Sequence, residues 1–267
     1  MSTAKTHAEQ PEVVILCGGR GMRLNERTES IPKPMVEVGG MPILWHLMKM
    51  YAAHGFNNFV LCLGYKGEKI REFFMELNEW RNRDFTLSMR DGQRKLHYHN
   101  KDIENWTITF ADTGAESETG ERIRRIEPYI KSPHFFCTYA DGLASIDLKH
   151  LLSTHIKTGK HATVTCVQPR SQYGLVEVEP SGLVSKLAEK PQLTTRVNGG
   201  FFVFNREVFT YLRPGEVLER GPLERLVADK QLSAYLFDRF WMCMDTYKDH
   251  QELNRMWQVG ETPWKTW

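Results

Sequence analysis

The most informative part of the chain is the stretch Val13-Val-Ile-Leu-Cys-Gly-Gly-Arg-Gly-Met-Arg-Leu24. Its five apolar residues, 13–17, end directly at a pair of glycines, as in a strand that is buried on both faces of a sheet. Glycines let the backbone approach a bulky anion, and Arg23 can make a planar, bidentate contact with phosphate. A tight turn without a ligand needs the same glycines, so the stretch alone leaves both readings open.

Two common phosphate-binding motifs do not fit this loop. It lacks the G-x-x-x-x-G-K-[ST] pattern of a P-loop, and a dinucleotide fingerprint requires a small residue where Leu24 stands and an immediate helix. The loop runs on to Ile31-Pro-Lys-Pro-Met35, where the two prolines are expected to hold the backbone extended and to project Lys33 from a stiff loop. A stiff lysine soon after a glycine–arginine loop indicates a phosphate contact.

The order of apolar runs predicts an α/β fold with a parallel sheet flanked by helices. No internal repeat or low-complexity linker divides the chain, so we expect one domain over residues 13–267 with a β-rich part in its second half. Residues 1–12 are polar and are predicted to form a disordered extension. Strands are predicted at 13–17, 59–63, 85–89, 106–111, 134–139, 162–167, 175–178, 200–204 and 232–237, and helices at 42–54, 66–79, 148–155, 223–229 and 248–257.

Composition excludes several classes of protein. Lys+Arg 35 against Asp+Glu 33 gives a formal net charge of +2 without a basic stripe, so no nucleic-acid partner is expected. The five cysteines have no C-x-x-C spacing and indicate a reducing compartment. No apolar run approaches the roughly 18–20 residues of a membrane span. A cytoplasmic protein without a membrane partner is predicted.

The motifs taken together resemble the sugar-1-phosphate nucleotidylyltransferases. G-G-x-G-x-R-L is followed by P-K-P-M-V-x-V-G-G-x-P-I-L-W-H, and further matches, among them Asp112-Thr-Gly114, run along nearly the whole chain. The W-H pair, Gly64-Tyr-Lys-Gly67 and Pro263-Trp-Lys-Thr-Trp267 point to the cytidylyl-transferring branch. The resemblance implies a Rossmann-like, mixed but mostly parallel central sheet flanked by helices, with a nucleotide half at about 13–145 and a β-rich sugar-phosphate half at about 146–267.

The resemblance also implies a reaction. A cytidylyl group would pass from CTP to α-D-glucose 1-phosphate, giving CDP-glucose and pyrophosphate by an in-line displacement. The alternatives are the same chemistry with UTP, dTTP or another sugar 1-phosphate, and a non-catalytic nucleotide-sugar-binding protein. A nicotinamide-dependent oxidoreductase is disfavoured by the failed fingerprint.

The implied site residues fall into three groups. Arg23 and Lys33 would be catalytic through their contacts with the nucleotide phosphates. The nucleotide would be bound by Leu16, Gly18, Gly19, Gly21, Arg23, Thr119, Gly120 and Arg122. The sugar phosphate would be bound by Gly174, Glu189, Lys190, Asn198 and Gly199.

Two aspartates are the candidate metal ligands. Asp141 follows a predicted buried strand, where open α/β sheets collect their ligands, and Asp245 follows the apolar run 240–244. By position alone, a turn or cap aspartate is the favoured interpretation of either. The resemblance assigns both to Mg²⁺, which prefers one or two carboxylates together with phosphate oxygens.

Some positions depart from the family pattern. Glu121 stands where a glycine is usual after Thr119-Gly120, and its carboxylate would repel a nucleotide unless it points away. The chain also carries a tail rich in tryptophan, ending at Trp264 and Trp267, which we expect to dock onto the body of the protein or onto a neighbour in a homo-oligomer.

Overall fold

The computed structural model describes residues 10–19, 30–76, 85–90, 93–98 and 104–267. Most predicted elements are present in these ranges, with ends that differ by a few residues. In chain order the elements are β1 (Val13–Leu16), β2 (Glu37–Val38), β3 (Met41–Pro42), α1 (Ile43–Ala53), β4 (Asn58–Leu63), α2 (Gly67–Glu76), β5 (Phe85–Arg90), β6 (Gln93–Tyr98), β7 (Thr107–Asp112), α3 (Thr119–Arg125), β8 (His134–Tyr139), β9 (Gly142–Ala144), α4 (Leu148–Thr158), β10 (Ala162–Val167), β11 (Leu175–Val178), β12 (Val184–Ala188), β13 (Val197–Asn205), α5 (Pro222–Ala228), β14 (Leu232–Phe237), β15 (Trp241–Cys243) and α6 (Tyr247–Gln258).

A seven-stranded sheet forms the centre of the protein, in the order β14-β10-β13-β8-β1-β4-β7. Neighbouring strands are parallel except for β13, which runs antiparallel to both β10 and β8. The predicted α/β fold with a mixed, mostly parallel sheet is therefore confirmed. Strands β10, β13 and β14 of the second half extend the sheet that the first half begins.

The sheet is buried on both faces, as the apolar run at 13–17 predicts. Val13 and Ile15 belong to one hydrophobic core, which α1, α4 and α6 cover. Val14 and Leu16 belong to a second core on the opposite face, which α3 and α5 cover. This alternation arises because successive side chains of a strand point to opposite faces, and it makes a three-layer α/β/α arrangement.

In the described ranges, four small two-stranded sheets lie around the centre, and of their eight strands only β5 and β11 were predicted. Strand β12 pairs with β11 in an antiparallel hairpin, the β-rich part expected in the second half. Strand β9 pairs with β15 and brings residues 142–144 beside residues 241–243. Strand β9 is only three residues long, too short for an apolar pattern to stand out.

The two ends of the described chain are fixed by burial. Glu12, predicted to lie in a disordered extension, is 7% exposed and accepts hydrogen bonds from the backbone N–H groups of Lys131 and Ser132. The fold therefore begins no later than Glu12, while residues 1–9 of the predicted extension lie outside the described residues. Trp264 is fully buried and stacks on Phe240 with ring centroids 5.5 Å apart, so the tail docks onto the body of its own chain. None of the helices in the described ranges is both long enough and apolar enough to cross a bilayer.

Candidate active site

A cleft of about 380 Å³ opens at the carboxyl ends of the parallel strands. Strands β1, β4 and β8 end at this edge, so the segments that follow them converge there. Of the predicted nucleotide residues that the structure describes, all but Gly120 line the cleft, and so do Lys33 and both candidate metal ligands. The lining residues are Leu16, Cys17, Gly18, Gly19, Lys33, Pro34, Ser117, Glu118, Thr119, Arg122, Tyr139, Ala140, Asp141 and Asp245. Gly21 and Arg23 lie outside the described residues, and their roles stay predictions.

Arg122 fastens the glycine loop to its surroundings. It is 4% exposed, and its guanidinium donates to the carbonyl oxygens of Gly18, Leu63 and Gly114 at 3.2, 3.1 and 2.7 Å. A Cβ at Gly18 would lie 2.1 Å from Arg122 Cζ, so only glycine lets the loop rest on this side chain. Arg122 therefore forms the floor of the cleft. Arg122 was predicted to bind the nucleotide. Such a contact would use guanidinium nitrogens that already donate hydrogen bonds to the loop and its neighbours.

Two residues that hold Arg122 in place were not predicted. Thr113, fully buried after β7, accepts from Arg122 Nη1 at 2.8 Å and donates to the carbonyl oxygen of Leu63 at 2.7 Å. A Cβ at Gly64 would lie 2.5 Å from Arg122 Nη1. Both residues stand in matched motifs, Asp112-Thr-Gly114 and Gly64-Tyr-Lys-Gly67. The sequence therefore marked both residues, but it did not show that they contact Arg122, which lies in a different motif.

The β9–β15 pair brings the two predicted metal ligands together. Cys243 lies opposite Gly142, and the next N–H, that of Met244, donates to the carbonyl oxygen of Asp141 at 2.9 Å. Asp141 and Asp245 therefore reach the same cleft although 104 positions separate them in the printed sequence. This ladder is the local reason why two distant aspartates share one site.

Asp249 fixes the backbone beside Asp245. Thr246 caps α6, and the Asp249 carboxylate accepts from the Thr246 N–H at 2.7 Å and the Asp245 N–H at 3.1 Å. This is a reciprocal capping box, which satisfies N–H groups that a helix start leaves without partners. Asp249 was not predicted, although Thr246-x-x-Asp249 is a recognisable sequence signal for such a box.

Lys33 pairs with both candidate metal ligands. Its Nζ lies 2.5 Å from Asp141 Oδ2 and 2.8 Å from Asp245 Oδ1, and its side chain is only 14% exposed. Burial alone would lower the pKa of Lys33, but the charge of Asp141 and the hydrogen bonds to both aspartates outweigh burial and raise it. The expected extended backbone is present at Pro32 only. Lys33–Met35 form a turn of 3₁₀-helix, because Pro34 suits the first positions of a helix, where its missing N–H costs nothing.

The donor set at this point fits a divalent metal ion. Asp141, Cys243 and Asp245 each offer a ligand atom, and these atoms lie within 4.8 Å of one another. Burial raises the pKa of the Cys243 thiol well above its ordinary value, and the two carboxylates raise it further. Without a metal the thiol is therefore protonated, and the two carboxylates are the anionic donors, which suit a hard cation.

Helix α3 places Thr119 at the cleft and turns Glu121 away from it. The Glu121 carboxylate pairs with Arg124 at 2.8 Å and Arg125 at 2.6 Å, and it also accepts from the Gly215 N–H. The hydrogen bond from Arg124 is the main cause that lowers the pKa of Glu121 to about 2; burial opposes it and Arg125 adds to it. The expected repulsion of a nucleotide is thus avoided, because Glu121 is neutralised on the far side of its helix.

Glu219, another residue that was not predicted, lies behind the cleft. Its carboxylate accepts from the hydroxyl group of Thr119 at 3.2 Å and from that of Tyr139. Gly120, which follows Thr119, packs so closely that a Cβ there would lie 2.7 Å from the carbonyl oxygen of Glu216. Gly120 therefore serves the contact between α3 and the segment before α5, and it does not line the cleft.

The predicted sugar-phosphate residues lie on β13 and around the β11–β12 hairpin. A Cβ at Gly174 would lie 3.0 Å from Glu189 Oε2, so these two residues adjoin, and Lys190 Nζ lies 3.4 Å from Glu189 Oε1. Asn198 donates to the Tyr139 hydroxyl at 3.5 Å, and the Gly199 carbonyl accepts from the Trp241 indole at 2.8 Å.

A second cleft, of about 870 Å³, lies beside these residues. It is lined by Tyr173 and Trp241 among others and shares Asp245 with the first cleft. None of the five predicted sugar-phosphate residues lines it, although Tyr173 precedes Gly174 and Trp241 binds Gly199.

Comparison with known proteins agrees with this arrangement. The family model described as "Nucleotidyl transferase" matches residues 12–256. A Bacillus subtilis protein named "Probable glucose-1-phosphate cytidylyltransferase" is 44% identical over 258 residues, covering 96% of this chain and 100% of its own. The Salmonella typhi glucose-1-phosphate cytidylyltransferase is 40% identical over 264 residues, covering 96% and 99%.

The fold agrees as well. The crystal structure of HddC from Yersinia pseudotuberculosis superposes with a TM-score of 0.67 at 20% identity, covering 93% of this chain and 100% of that one. At this identity the likeness concerns the fold alone. Taken with the matched residues 12–256 and the relatives above 30% identity, the comparisons show that the chain belongs to the nucleotidyl transferase family.

Proposed function

We propose that this protein transfers a cytidylyl group from CTP to α-D-glucose 1-phosphate and releases pyrophosphate. The observation that carries the proposal is the meeting of Lys33, Asp141 and Asp245 in the cleft beneath the glycine loop. The choice of CTP and glucose 1-phosphate rests on the two relatives named for that activity. The product would be CDP-glucose.

The chemistry needs little from the protein beyond positioning and charge. An oxygen of the sugar phosphate attacks the α-phosphorus of CTP in line, and the bond from that phosphorus to the bridging oxygen of the β-phosphate breaks. Lys33 and Arg23 would bind the nucleotide phosphates, while the backbone of Gly18 and Gly19 would lie against them. Mg²⁺, held by Asp141 and Asp245, would neutralise charge on the α-phosphate and on the departing pyrophosphate.

The remaining nucleotide contacts would come from the residues around the floor of the cleft. Leu16 and Thr119 line it directly, and Arg122 presents its guanidinium beneath Gly18. Gly120 would act indirectly, through its close packing under α3. Gly21 would belong to the same loop as Gly18 and Gly19.

The sugar phosphate would bind on the side of the β11–β12 hairpin. Glu189 and Asn198 would accept hydrogen bonds from hydroxyl groups of the hexose, Lys190 would bind its phosphate, and Gly174 and Gly199 would allow close backbone approach. The second cleft lies beside these residues and shares Asp245 with the first cleft, which supports this placement. We also propose that both halves act as one domain, which the shared sheet supports.

We further propose that the protein works in the cytoplasm as a homo-oligomer, without a nucleic-acid or membrane partner. The five cysteines are all free, as a reducing compartment predicts. The β11–β12 hairpin exposes several large apolar side chains, including Leu183 at 67% and Leu187 at 73%. An apolar ribbon of this kind is typical of a contact between subunits. Light scattering on the purified chain would measure the mass of the assembly.

Pyrophosphate release tests the reaction. The purified chain is incubated with Mg²⁺, glucose 1-phosphate and, in parallel, CTP, UTP, dTTP, ATP or GTP. Release mainly with CTP is expected. Release with another nucleotide would keep the chemistry and overturn the base, and release only with another sugar phosphate would overturn the sugar. If no sugar phosphate gives release while a nucleotide sugar still binds, the protein is a non-catalytic sensor. Chelation of the metal with EDTA should abolish release, and restoring Mg²⁺ should recover it.

A further inference from the structure

The Lys33 ammonium group stands where a metal ion held by the two aspartates would stand. Its nitrogen is within 2.5 Å of an oxygen of Asp141 and 2.8 Å of an oxygen of Asp245. The side chains of Lys33 and Asp141 are only 14% and 22% exposed, so water screens this pair of charges weakly, while the side chain of Asp245 is 37% exposed. The ammonium thus contacts one carboxylate oxygen of Asp141 and one of Asp245.

A divalent ion and the ammonium compete for these oxygens. A magnesium ion bound by carboxylates needs their oxygens at about 2.0–2.1 Å and in nearly octahedral geometry. An ammonium within hydrogen-bonding distance of both carboxylates takes up the same space between them. Two cations side by side in a partly buried cleft also repel each other. Both cannot keep their contacts at the same time.

The lysine can leave without a change in the backbone. A turn fixes its main chain, in which the Met35 N–H donates to the Pro32 carbonyl at 2.8 Å and the Val36 N–H donates to the Lys33 carbonyl at 3.1 Å. The flexible four-carbon stem then carries the ammonium from one position to another. Because Lys33 lines the same cleft as Gly18 and Gly19, a displaced ammonium stays beside the glycine loop.

We propose that Lys33 and the divalent cation are alternative partners of the Asp141–Asp245 pair. Entry of the cation releases the Lys33 ammonium into the cleft, where nucleotide phosphates are its new partner. The pairing of the released ammonium with nucleotide phosphates rests on the proposed function, while the competition for the two aspartates does not. Because the triphosphate gives the released ammonium a partner, cation and nucleotide bind cooperatively, and the cation alone binds weakly.

Binding of Mn²⁺ to the full chain, without nucleotide or sugar, tests the competition. Free Mn²⁺ is measured by electron paramagnetic resonance for the wild type and for Lys33→Met, which keeps much of the side-chain length and removes the charge. We expect Lys33→Met to bind Mn²⁺ at least about tenfold more tightly, and Asp141→Asn in that background to lose the gain. Lys49→Met is the matched control, because Lys49 pairs with Glu104 at 3.0 Å outside the cleft, and it should bind as the wild type does. Equal affinity for Lys33→Met and wild type would overturn the proposal.

A second measurement uses the wild type alone and stands even if a variant misfolds. The rate at which an amine reagent labels Lys33 is followed by mass spectrometry with and without Mn²⁺, with Lys49 as the internal reference. Labelling of Lys33 should rise severalfold when Mn²⁺ binds, and an unchanged ratio to Lys49 would contradict the release. Neither measurement needs turnover, so a failed activity assay and a failed competition are distinguishable.

Discussion

Arg122 lies directly beneath Gly18, so that a Cβ at position 18 would stand 2.1 Å from Arg122 Cζ and 2.2 Å from its Nη1. The guanidinium cannot swing aside cheaply, because it donates to the carbonyl oxygens of Gly18, Leu63 and Gly114. The glycine loop and the buried arginine therefore constrain each other. The glycine at position 18 is needed for packing even before any phosphate is considered.

The first prediction follows from that contact. Gly18→Ala should destabilise the protein by about 1–3 kcal/mol, the usual result of overpacking a filled site. Gly19→Ala is the matched control, since a Cβ at position 19 would meet no atom of the described residues within 4 Å, and it should change stability by no more than about 0.5 kcal/mol. Urea unfolding of both variants measures the difference. Equal losses would show that Arg122 does not set the requirement at position 18.

Lys33→Ala should keep the fold and lose several orders of magnitude in turnover. The Lys33 ammonium contacts both candidate metal ligands and lines the first cleft. Its loss would therefore remove charge stabilisation of the transition state. Pyrophosphate release measures the rate, and circular dichroism checks the fold. Lys49→Ala removes a similar ion pair elsewhere and should keep the wild-type rate. A near-normal rate for Lys33→Ala would remove Lys33 from the mechanism.

Asp249→Ala should lower kcat by about tenfold or more, through the backbone that its carboxylate holds. Asp249 holds the N–H groups of Asp245 and Thr246, so its loss frees the backbone that aims a metal ligand. Loss of the cap should also cost about 1 kcal/mol of stability. Asp147→Ala removes the cap of α4, whose carboxylate accepts from the His150 N–H at 2.9 Å, away from both clefts. It should lose similar stability and keep full activity. If both variants lose activity alike, Asp249 acts through stability only.

The sequence was most informative where a chemical group and a buried strand stand next to each other. Asp141 after β8 and the glycines after β1 were candidates for that reason and were assigned to the site by the resemblance, and Asp141, Gly18 and Gly19 line the first cleft. The residues that sequence reasoning missed act on partners far away in the chain. Thr113 and Gly64 serve Arg122, and Glu219 binds Thr119 from 100 positions away. Such pairs have no local pattern, because tertiary packing alone decides which residues meet.

Errors in the predicted local structure have equally specific causes. The turn at Lys33–Met35 was expected to be extended, since proline disfavours a helical residue before it. Instead a single 3₁₀ turn begins at Lys33, after the extended Pro32, with Pro34 at one of its first positions, where a missing N–H costs nothing. Helix α3 was missed because it is only seven residues long and has a glycine at its second position, which weakens any helical signal.

Glu121→Gln should lower stability at neutral pH and flatten its acid dependence. The pKa of Glu121 is lowered from 4.5 to about 2, mainly by the hydrogen bond from Arg124, against the opposing effect of burial. The folded state therefore releases this proton more readily than the unfolded state. The stabilisation is complete above pH 4.5 and is lost as the pH falls towards 2.

Urea unfolding at pH 7, 5, 4 and 3 measures this effect. The variant should be less stable by about 1–2 kcal/mol at pH 7, and its difference from the wild type should shrink below pH 4.5. Glu177→Gln is the control, because its pair with Lys186 is exposed and contributes little. A difference that stays constant with pH would mean that the charge of Glu121 is not what stabilises α3.

A buried histidine gives the last pH dependence, in a different range. His155 on α4 is fully buried, its Nδ1 lies 2.8 Å from the Thr163 hydroxyl, and its Nε2 has no hydrogen-bond partner among the described residues. Burial, followed by the charges of His134 and His161, lowers the pKa of His155 from 6.5 to about 4. The unfolded state therefore binds this proton first, so stability is complete above pH 6.5 and falls as the pH drops from 6.5 to 4.

Between pH 7 and 5 this residue should account for a loss of about 1–2 kcal/mol in the free energy of unfolding, which His155→Gln should remove. His150→Gln, at an exposed position of the same helix, should keep the wild-type slope, and a slope unchanged in His155→Gln would show that another group titrates in this range.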